Sequence, residues 1–172
     1  MQAIASPDSS AATDYRAGKY LTFIVDREEF GVAVLKVREI MGIQEVTAMP
    51  RTPAWMKGVI NLRGKIIPVV DLRLKFELPP AAYTERTCII VVQVRHGTDL
   101  MAMGIIVDEV SEVLNLASAD IEDTPDFGEG GGAATSYLLG MAKVKGKVKI
   151  LLDIDGVLSN HDLQGLDAIA RV

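Results

Sequence analysis

The chain has 172 residues, of which 49% are hydrophobic and 24% are charged, so it is long enough and apolar enough to bury a folded core. Its formal net charge of −5 argues against a protein whose main partner is a nucleic acid. Its apolar runs are too short to span a bilayer, and its single cysteine cannot form an internal disulfide. We therefore expect a cytoplasmic protein without direct membrane insertion.

The predicted elements begin after a tail. Residues 1–18 lack sustained periodicity and are rich in alanine, serine and aspartate, so we expect them to be mobile. From Lys19, "YLTFIVD" alternates its apolar side chains, and a charged turn leads into a returning apolar run, which predicts two strands. The stretch "LKVREIMGI" predicts a turn and a short strand, because its β-branched residues disfavour a helix.

A hairpin is predicted next, in "GVINLRGKIIPVVDL", with its turn at Arg63-Gly64-Lys65. A connector with a helical turn ends at Pro79-Pro80, and "TCIIVVQV" and "MAMGIIVDEV" then repeat the plan of strand, turn and strand. A glycine-rich loop follows at about 122–136. The second hairpin, "YLLGMAKVKGKVKILLDI", leads to a predicted C-terminal helix over about 159–171.

The end of the second hairpin raises a catalytic alternative. In "ILLDIDGVL" an apolar run followed by Asp-x-Asp-Gly resembles the opening motif of haloacid dehalogenase-type phosphatases. In those enzymes the first aspartate is the nucleophile and the second is the acid/base, beside a magnesium ion. On this interpretation Asp153 and Asp155 are catalytic and the protein is a magnesium-dependent phosphatase.

An internal repeat argues against the catalytic alternative. Two glycines and an aspartate of the first half recur 82 residues later, as the pairs Gly58–Gly140, Gly64–Gly146 and Asp71–Asp153. The chain is therefore predicted to contain two copies of a small all-β unit. Asp155 then corresponds to Arg73, and no paired acid site is expected where the other copy has a base. We expect no enzyme, and we expect Asp71 and Asp153 to accept backbone N–H bonds at a turn.

The two predicted hairpins differ in their charge pattern. In the second hairpin four lysines are predicted to share one solvated face: Lys143, Lys145, Lys147 and Lys149. The equivalent positions of the first hairpin, with their predicted neighbours on an outward face, are Asn61, Arg63, Lys65, Ile67, Val59 and Val69. Exposed apolar residues beside an arginine are typical of a protein-binding face. The alternative, that another segment covers these apolar residues, stays open at this point.

Four stretches of the chain resemble the CheW family of chemotaxis coupling proteins: "FGVAVLKVREI", "TPAWMKGVINLRGKIIPVVDLRLKF", "GIIVDEVSEVL" and "ILLDIDGVL". The resemblance runs from about Lys19 to the C-terminus. It implies an all-β fold of two tandem SH3-like five-stranded β-barrels, with a short connecting helix and a C-terminal helix. We expect the first barrel at about 19–78 and the second at about 84–158, with an exchange of end strands left open.

The resemblance also implies a non-catalytic chemotaxis adaptor that needs no cofactor. It implies two partners, the regulatory domain of the histidine kinase CheA and the cytoplasmic tip of methyl-accepting chemoreceptors, so the protein would be recruited to membrane receptor arrays. Carried to matching positions, Val37, Arg63 and Val113 are candidates for receptor contact, and Glu39 is a candidate for kinase or receptor contact. We add Val110 as a residue of the groove between the barrels.

Overall fold

The structure, a computed structural model, describes residues 14–124 and 137–158. The predicted C-terminal helix at 159–171 lies outside the described residues, as do most of the predicted tail and most of the glycine-rich loop. Residues 14–18, the last of the predicted tail, contain a 3₁₀ turn and the first residue of a strand. No helix within the described ranges is long and apolar enough to cross a membrane.

The described residues form eleven β-strands and a few short helical segments. The strands are β1 Gly18–Val25, β2 Glu28–Ala33, β3 Val37–Gly42, β4 Met56–Leu62, β5 Lys65–Asp71, β6 Cys88–His96, β7 Asp99–Val107, β8 Glu109–Leu116, β9 Ile121–Glu122, β10 Leu138–Val144 and β11 Lys147–Leu152. The α-helices are α1 Leu72–Lys75 and α2 Ile154–Val157, and the 3₁₀ turns are Asp14–Arg16, Val34–Lys36 and Ser118–Asp120.

The strands form two sheets that share one topology. The first sheet has the order β3-β6-β7-β5-β4, and we call it the central barrel. The second has the order β8-β1-β2-β11-β10-β9, and we call it the terminal barrel because it combines strands from both ends of the described chain. The short β9 aside, each strand of one sheet has an equivalent in the other. The all-β prediction of two SH3-like barrels is confirmed.

The leading hairpin of each sequence copy pairs with strands of the other copy. Strand β2 runs parallel to β11, with Phe30 opposite Ile150, and β5 runs parallel to β7, with Val69 opposite Gly104. The predicted ranges 19–78 and 84–158 follow the two copies along the sequence. In space, β1 and β2 belong to the terminal barrel, and β6 and β7 belong to the central barrel. The exchange of end strands that the sequence left open is therefore reciprocal.

The two barrels share one apolar cluster, and each has a smaller cluster of its own. The shared cluster joins Phe23 and Leu152 of the terminal barrel to Val92 and Met103 of the central barrel. The central barrel's own cluster is Ile60, Ile67, Val69, Ile89, Val91 and Ile106. The terminal barrel's own cluster is Tyr20, Leu116, Ile121, Ala142 and Leu151. Because the shared cluster is completely desolvated at its centre, the barrels form one packed unit.

The predicted apolar outward face of the first hairpin is wrong. Val59, Ile67 and Val69 are buried, and the exposed isoleucine of β5 is Ile66. For Ile67 and Val69 the reason is the two-residue turn, which pairs Ile60 with Ile67 and so places an even-numbered residue opposite an odd-numbered one. Val59 is buried for another reason, because it packs in the shared apolar cluster. Odd-numbered residues of β4 therefore share a face with even-numbered residues of β5. Asn61 lies opposite Ile66, and it does not share a face with Lys65 or Ile67.

The predicted lysine row of the second hairpin is wrong for the same reason. Lys143 lies opposite Val148, which is exposed, and Ala142 lies opposite Lys149. Lys149 is consequently 4% exposed, and its ammonium donates to the carboxylate of Glu29 on β2. The charge of the buried lysine is met by this one acid.

The residues that define the sequence repeat have equivalent structural roles. A Cβ at Gly58 would stand 2.0 Å from the carbonyl oxygen of Thr47, and one at Gly140 would stand 2.7 Å from that of Glu122. Asp71 and Asp153 cap α1 and α2, as the sequence predicts, because each carboxylate accepts two backbone N–H bonds from the following turn.

Candidate protein-binding site

The β4–β5 turn presents Arg63 to solvent. Arg63 and Gly64 both have positive φ, at 51° and 88°, which is the geometry of a two-residue hairpin turn. The side-chain oxygen of Asn61 accepts a hydrogen bond from the Gly64 amide at 2.9 Å. The Asn-x-x-Gly pattern thus fixes the turn locally, and it leaves the Arg63 side chain 73% exposed.

Glu39 holds the Arg63 guanidinium in place. Nη1 and Nη2 of Arg63 each lie 3.0 Å from one carboxylate oxygen of Glu39, so the ion pair is bidentate. The hydrogen bond from Arg63 lowers the pKa of the Glu39 carboxyl, and the same bond raises the pKa of Arg63. This pair ties the hairpin turn to β3, which reduces the number of conformations that an exposed arginine would otherwise populate.

A cleft of about 520 Å³ opens beside this ion pair. Its charged lining residues are Arg38, Glu39, Arg63 and Lys65, so cations outnumber the single acid. Leu100, at the β6–β7 end of the cleft, is exposed and adds apolar surface. The cleft is therefore suited to a partner surface that carries a carboxylate and an aliphatic side chain.

The three predicted valines lie on two edge strands. Val37 begins β3 and lies opposite Val92 of β6. Val110 belongs to β8 and lies opposite Phe23 of β1. Both valines are half-buried and pack against the shared cluster. Val113, on the same strand as Val110, is 56% exposed. Since β3 and β8 are the first strands of the two sheets and are equivalent in the repeat, the predicted residues occupy matching edges of the two barrels.

Two of the five predicted residues are in direct contact in the structure, and the other three lie at separate positions on the two barrels. Glu39 and Arg63 are in contact, and Val37 shares β3 with Glu39. Val110 and Val113 belong to the terminal barrel, so the five residues span both barrels. Sequence reasoning did not identify Leu35, which is 94% exposed in the 3₁₀ turn before β3. Leu35 stands within an apolar run, which predicts burial. The run carries no residue pattern that indicates the 3₁₀ turn between β2 and β3.

The two aspartates of the catalytic alternative have structural partners. Asp153 caps α2, and Asp155 accepts a hydrogen bond from the Arg95 amide at 2.7 Å while its other oxygen lies 2.8 Å from Lys36 Nζ. Within residues 14–124 and 137–158, no group of three or more histidine, cysteine or acidic side chains is placed to hold a metal ion. Nothing in this geometry supports the phosphatase alternative.

These features define a two-barrel binding protein whose candidate partner residues lie on sheet edges and a hairpin turn. The family model described as CheW-like domain matches residues 19–162. The chain belongs to this CheW-like family.

Individual relatives agree with the family assignment. The chain is 39% identical over 153 residues to chemotaxis protein CheW of Klebsiella aerogenes, covering 89% of each chain. It is 35% identical over 142 residues to chemotaxis protein CheW of Rhizobium meliloti, covering 83% of this chain and 88% of the relative. The crystal structure of scaffolding protein TtCheW from Thermoanaerobacter tengcongensis superposes with a TM-score of 0.73 at 29% identity, covering 85% and 95% of the two chains. The chain is accordingly a non-catalytic chemotaxis adaptor.

Proposed function

We propose that the chain couples methyl-accepting chemoreceptors to the histidine kinase CheA within membrane receptor arrays. The observation that carries this proposal is the exposed Arg63–Glu39 ion pair at the mouth of a cationic cleft. Its supports are the membership of the CheW-like family and the chemotaxis names of the relatives. We assign contact with the receptor to Val37, Arg63, Val110 and Val113. We assign contact with the kinase regulatory domain or the receptor to Glu39.

An adaptor of this kind acts through differential binding. Contacts that differ between two signalling states of the receptor shift the kinase's active population only by the difference in binding free energy. Such coupling needs a rigid protein, because a protein that deforms on binding would lose part of this difference in binding free energy. The shared apolar cluster supports this requirement, because it joins the barrel that carries Arg63 to the barrel that carries Val113.

The Arg63–Glu39 pair suits a partner contact for a specific electrostatic reason. The pair is exposed and therefore contributes little to folding stability. An approaching carboxylate can bind the guanidinium while Glu39 keeps its orientation, so that little rotamer entropy is lost on binding. A partner cation would instead compete for Glu39. The pair thus discriminates between acidic and basic partner residues.

The proposal is tested with reconstituted receptor fragment, CheA and this chain, measuring receptor-dependent kinase activity. We expect Arg63→Glu to abolish receptor-dependent activation without loss of folding. Lys145→Glu is the matched control, because Lys145 occupies the equivalent exposed turn position, with φ of 53° against 51°, in the other copy. The control should retain activation. Undiminished ternary complex and activation with Arg63→Glu would remove Arg63 from the site.

A double variant separates the partner role of Arg63 from its role in the ion pair. Glu39→Arg combined with Arg63→Glu restores an ion pair of reversed orientation between β3 and the β4–β5 turn. If Arg63 acts on a partner, the double variant stays inactive. If the ion pair matters only for the shape of the turn, the double variant recovers activity.

A further inference from the structure

The chain crosses from the central barrel to the terminal barrel at Asp108. Strand β7 of the central barrel ends at Val107, and β8 of the terminal barrel begins at Glu109. Strand β8 is an edge of its sheet, and among the described strands it pairs with β1 alone. It carries the candidate receptor residues Val110 and Val113 shortly after the crossover. The placement of these two valines relative to the central barrel therefore depends on how Asp108 is held.

The guanidinium of Arg73 holds the Asp108 carboxylate from the side of the central barrel. Arg73 belongs to α1, which follows β5 directly. Its Nε lies 3.1 Å from one carboxylate oxygen of Asp108, and its Nη2 lies 3.0 Å from the other, so the contact is bidentate. The Arg73 side chain is 15% exposed, so solvent screens this ion pair less than it screens a pair on the surface.

The same guanidinium also contacts the terminal barrel and the chain after α1. Its Nη1 lies 3.3 Å from the carboxylate of Asp26 in the β1–β2 turn, and it donates to the carbonyl oxygen of Pro79 at 2.6 Å. The backbone amide of Asp26 donates to the Asp108 carboxylate at 2.8 Å, and the Asp108 amide donates to the carbonyl oxygen of Ile24 at 2.9 Å. Arg73 thus connects the end of β5 both to the crossover and to the first hairpin of the terminal barrel.

A second arginine reaches the start of β8 from the surface. Arg86 lies 3.6 Å from the carboxylate of Glu109, and its side chain is 70% exposed. An exposed pair with this single long contact contributes little to the placement of a strand. The two arginines therefore provide a comparison within one molecule, between a buried bidentate contact and an exposed one at adjacent residues.

We propose that Arg73 is a positioning residue for receptor binding, which fixes the edge strand β8 relative to the Arg63 turn without touching either partner. This inference rests on the proposed function, which assigns receptor contact to Arg63 on one barrel and to Val113 on the other. Without Arg73, the carboxylates of Asp26 and Asp108 lose the cation that they share, and their repulsion loosens the crossover. Two contacts on one rigid body bind a partner with a single ordering cost, and a loosened crossover removes this advantage.

Distances between spin labels test the positioning without any partner. The labels are attached at Lys65→Cys, beside the β4–β5 turn, and at Ser111→Cys on β8, two exposed positions, in a Cys88→Ser background. We expect double electron–electron resonance to give one narrow distance distribution, which Arg73→Gln broadens. Arg86→Gln is the matched control, because it removes the same charge from the exposed pair, and it should leave the distribution narrow. An unchanged distribution in Arg73→Gln would overturn the proposal.

A second variant changes the other side of the contact. Asp108→Asn keeps the size of the side chain, but its amide can no longer accept from two nitrogens of Arg73 at once. It should broaden the same distance distribution, and thermal melts should show that both variants are folded at the temperature of the measurement. Broadening by Arg73→Gln but not by Asp108→Asn would show that Arg73 does not act through the crossover.

Receptor binding separates positioning from a general loss of stability. We expect Arg73→Gln, measured where it is folded, to weaken binding of a receptor fragment about fivefold. Val113→Ala should weaken binding in the otherwise unsubstituted protein but add no further loss to Arg73→Gln, because the valine is then no longer held in place. Additive losses would overturn the proposal. If Val113→Ala alone has no effect, the assigned receptor contact fails, and the spin-label distances still decide whether Arg73 fixes β8.

Discussion

The central and terminal barrels share a strand order but differ in the chemistry of their interiors. In the central barrel the cross-strand pair Ile60–Ile67 contributes to a fully aliphatic cluster. The equivalent pair in the terminal barrel, 82 residues later, is Ala142–Lys149. The lysine brings a charge into this barrel, and Glu29 compensates this charge. The repeat therefore preserves the strand pairing without preserving the volume or the polarity of the paired side chains.

The same difference appears after the last strand of each copy. Arg73 follows β5 and binds Asp108, with Nη2 3.0 Å from the carboxylate. Its equivalent, Asp155, follows β11 and binds Lys36 at 2.8 Å. Each copy thus fastens the chain after its last strand by an ion pair, and the sign of the charges is reversed between the copies.

The largest expected effect concerns the interior of the terminal barrel. Lys149→Ala removes the partner of Glu29 and leaves a cavity, so we expect a loss of about 3 kcal/mol in the free energy of unfolding. Lys149→Met combined with Glu29→Leu makes this barrel resemble the central one and should cost less than about 1 kcal/mol. Urea unfolding measures both variants. Equal destabilisation by the two would show that the ion pair, and not the volume of the lysine stem, is what the site requires.

The second prediction compares the two close backbone approaches of the repeat. Gly58→Ala places a Cβ much closer to a carbonyl oxygen than Gly140→Ala does, at 2.0 Å against 2.7 Å. We expect Gly58→Ala to cost about 2–3 kcal/mol and Gly140→Ala to cost less. Gly42→Ala is the control, because nothing lies within 4 Å of its added Cβ. Chemical denaturation that ranks Gly140→Ala as the more damaging variant would contradict this comparison.

The sequence is sufficient to predict the features that depend on local chemistry. The Arg63-Gly64 turn, the two capping aspartates and the two-copy all-β fold follow from residue types and spacing, and the structure has all of them. The resemblance to the CheW family gave the barrel type, and the family model agrees with it.

The features that the sequence did not predict depend on pairing between distant segments. The parallel contacts of β2 with β11 and of β5 with β7 join strands far apart in the chain, and no local pattern specifies them. The burial of Lys149 follows from its pairing with Ala142 across a two-residue turn, and the exposure of Leu35 follows from a 3₁₀ turn. Alternation predicts which residues share a face of one strand, but the turn length decides which face of the next strand they meet.

The third prediction separates the two capping aspartates by pH. Asp71 has an additional donor, the Tyr83 hydroxyl at 3.2 Å, and burial followed by the nearby Asp71 charge raises the pKa of Tyr83. The folded protein therefore holds this proton more tightly than the unfolded chain, whose tyrosines titrate near about 10. This contribution to stability is complete below that pH and is lost as the pH rises above it. We expect Tyr83→Phe to reduce the dependence of stability on pH between about 9 and 11.

Variants of the two aspartates provide the control for this pH effect. Asp71→Asn keeps a capping oxygen but removes the charge beside Tyr83, so the alkaline loss of stability should shrink, by less than in Tyr83→Phe because burial, the larger cause of the raised pKa, remains. The corresponding variant Asp153→Asn should leave the alkaline dependence unchanged, since Tyr83 contacts the carboxylate of Asp71. Equilibrium unfolding across this pH range measures all three variants. If the free energy of unfolding of Tyr83→Phe falls with alkaline pH as steeply as that of the unsubstituted protein, then groups other than Tyr83 cause the fall.

The smallest expected stability effect belongs to the valines of the two equivalent edge strands. Val113 is exposed, so Val113→Ala should change the free energy of unfolding by less than about 0.5 kcal/mol. Val37 packs against the shared cluster, so Val37→Ala should cost about 1 kcal/mol, and its thermal stability must be measured before any loss of binding is interpreted. If both edges contact the receptor, Val113→Ala weakens receptor binding with its stability intact. Unchanged receptor affinity in that variant would remove Val113 from the receptor contact and leave Val110 as the candidate of the terminal barrel's edge.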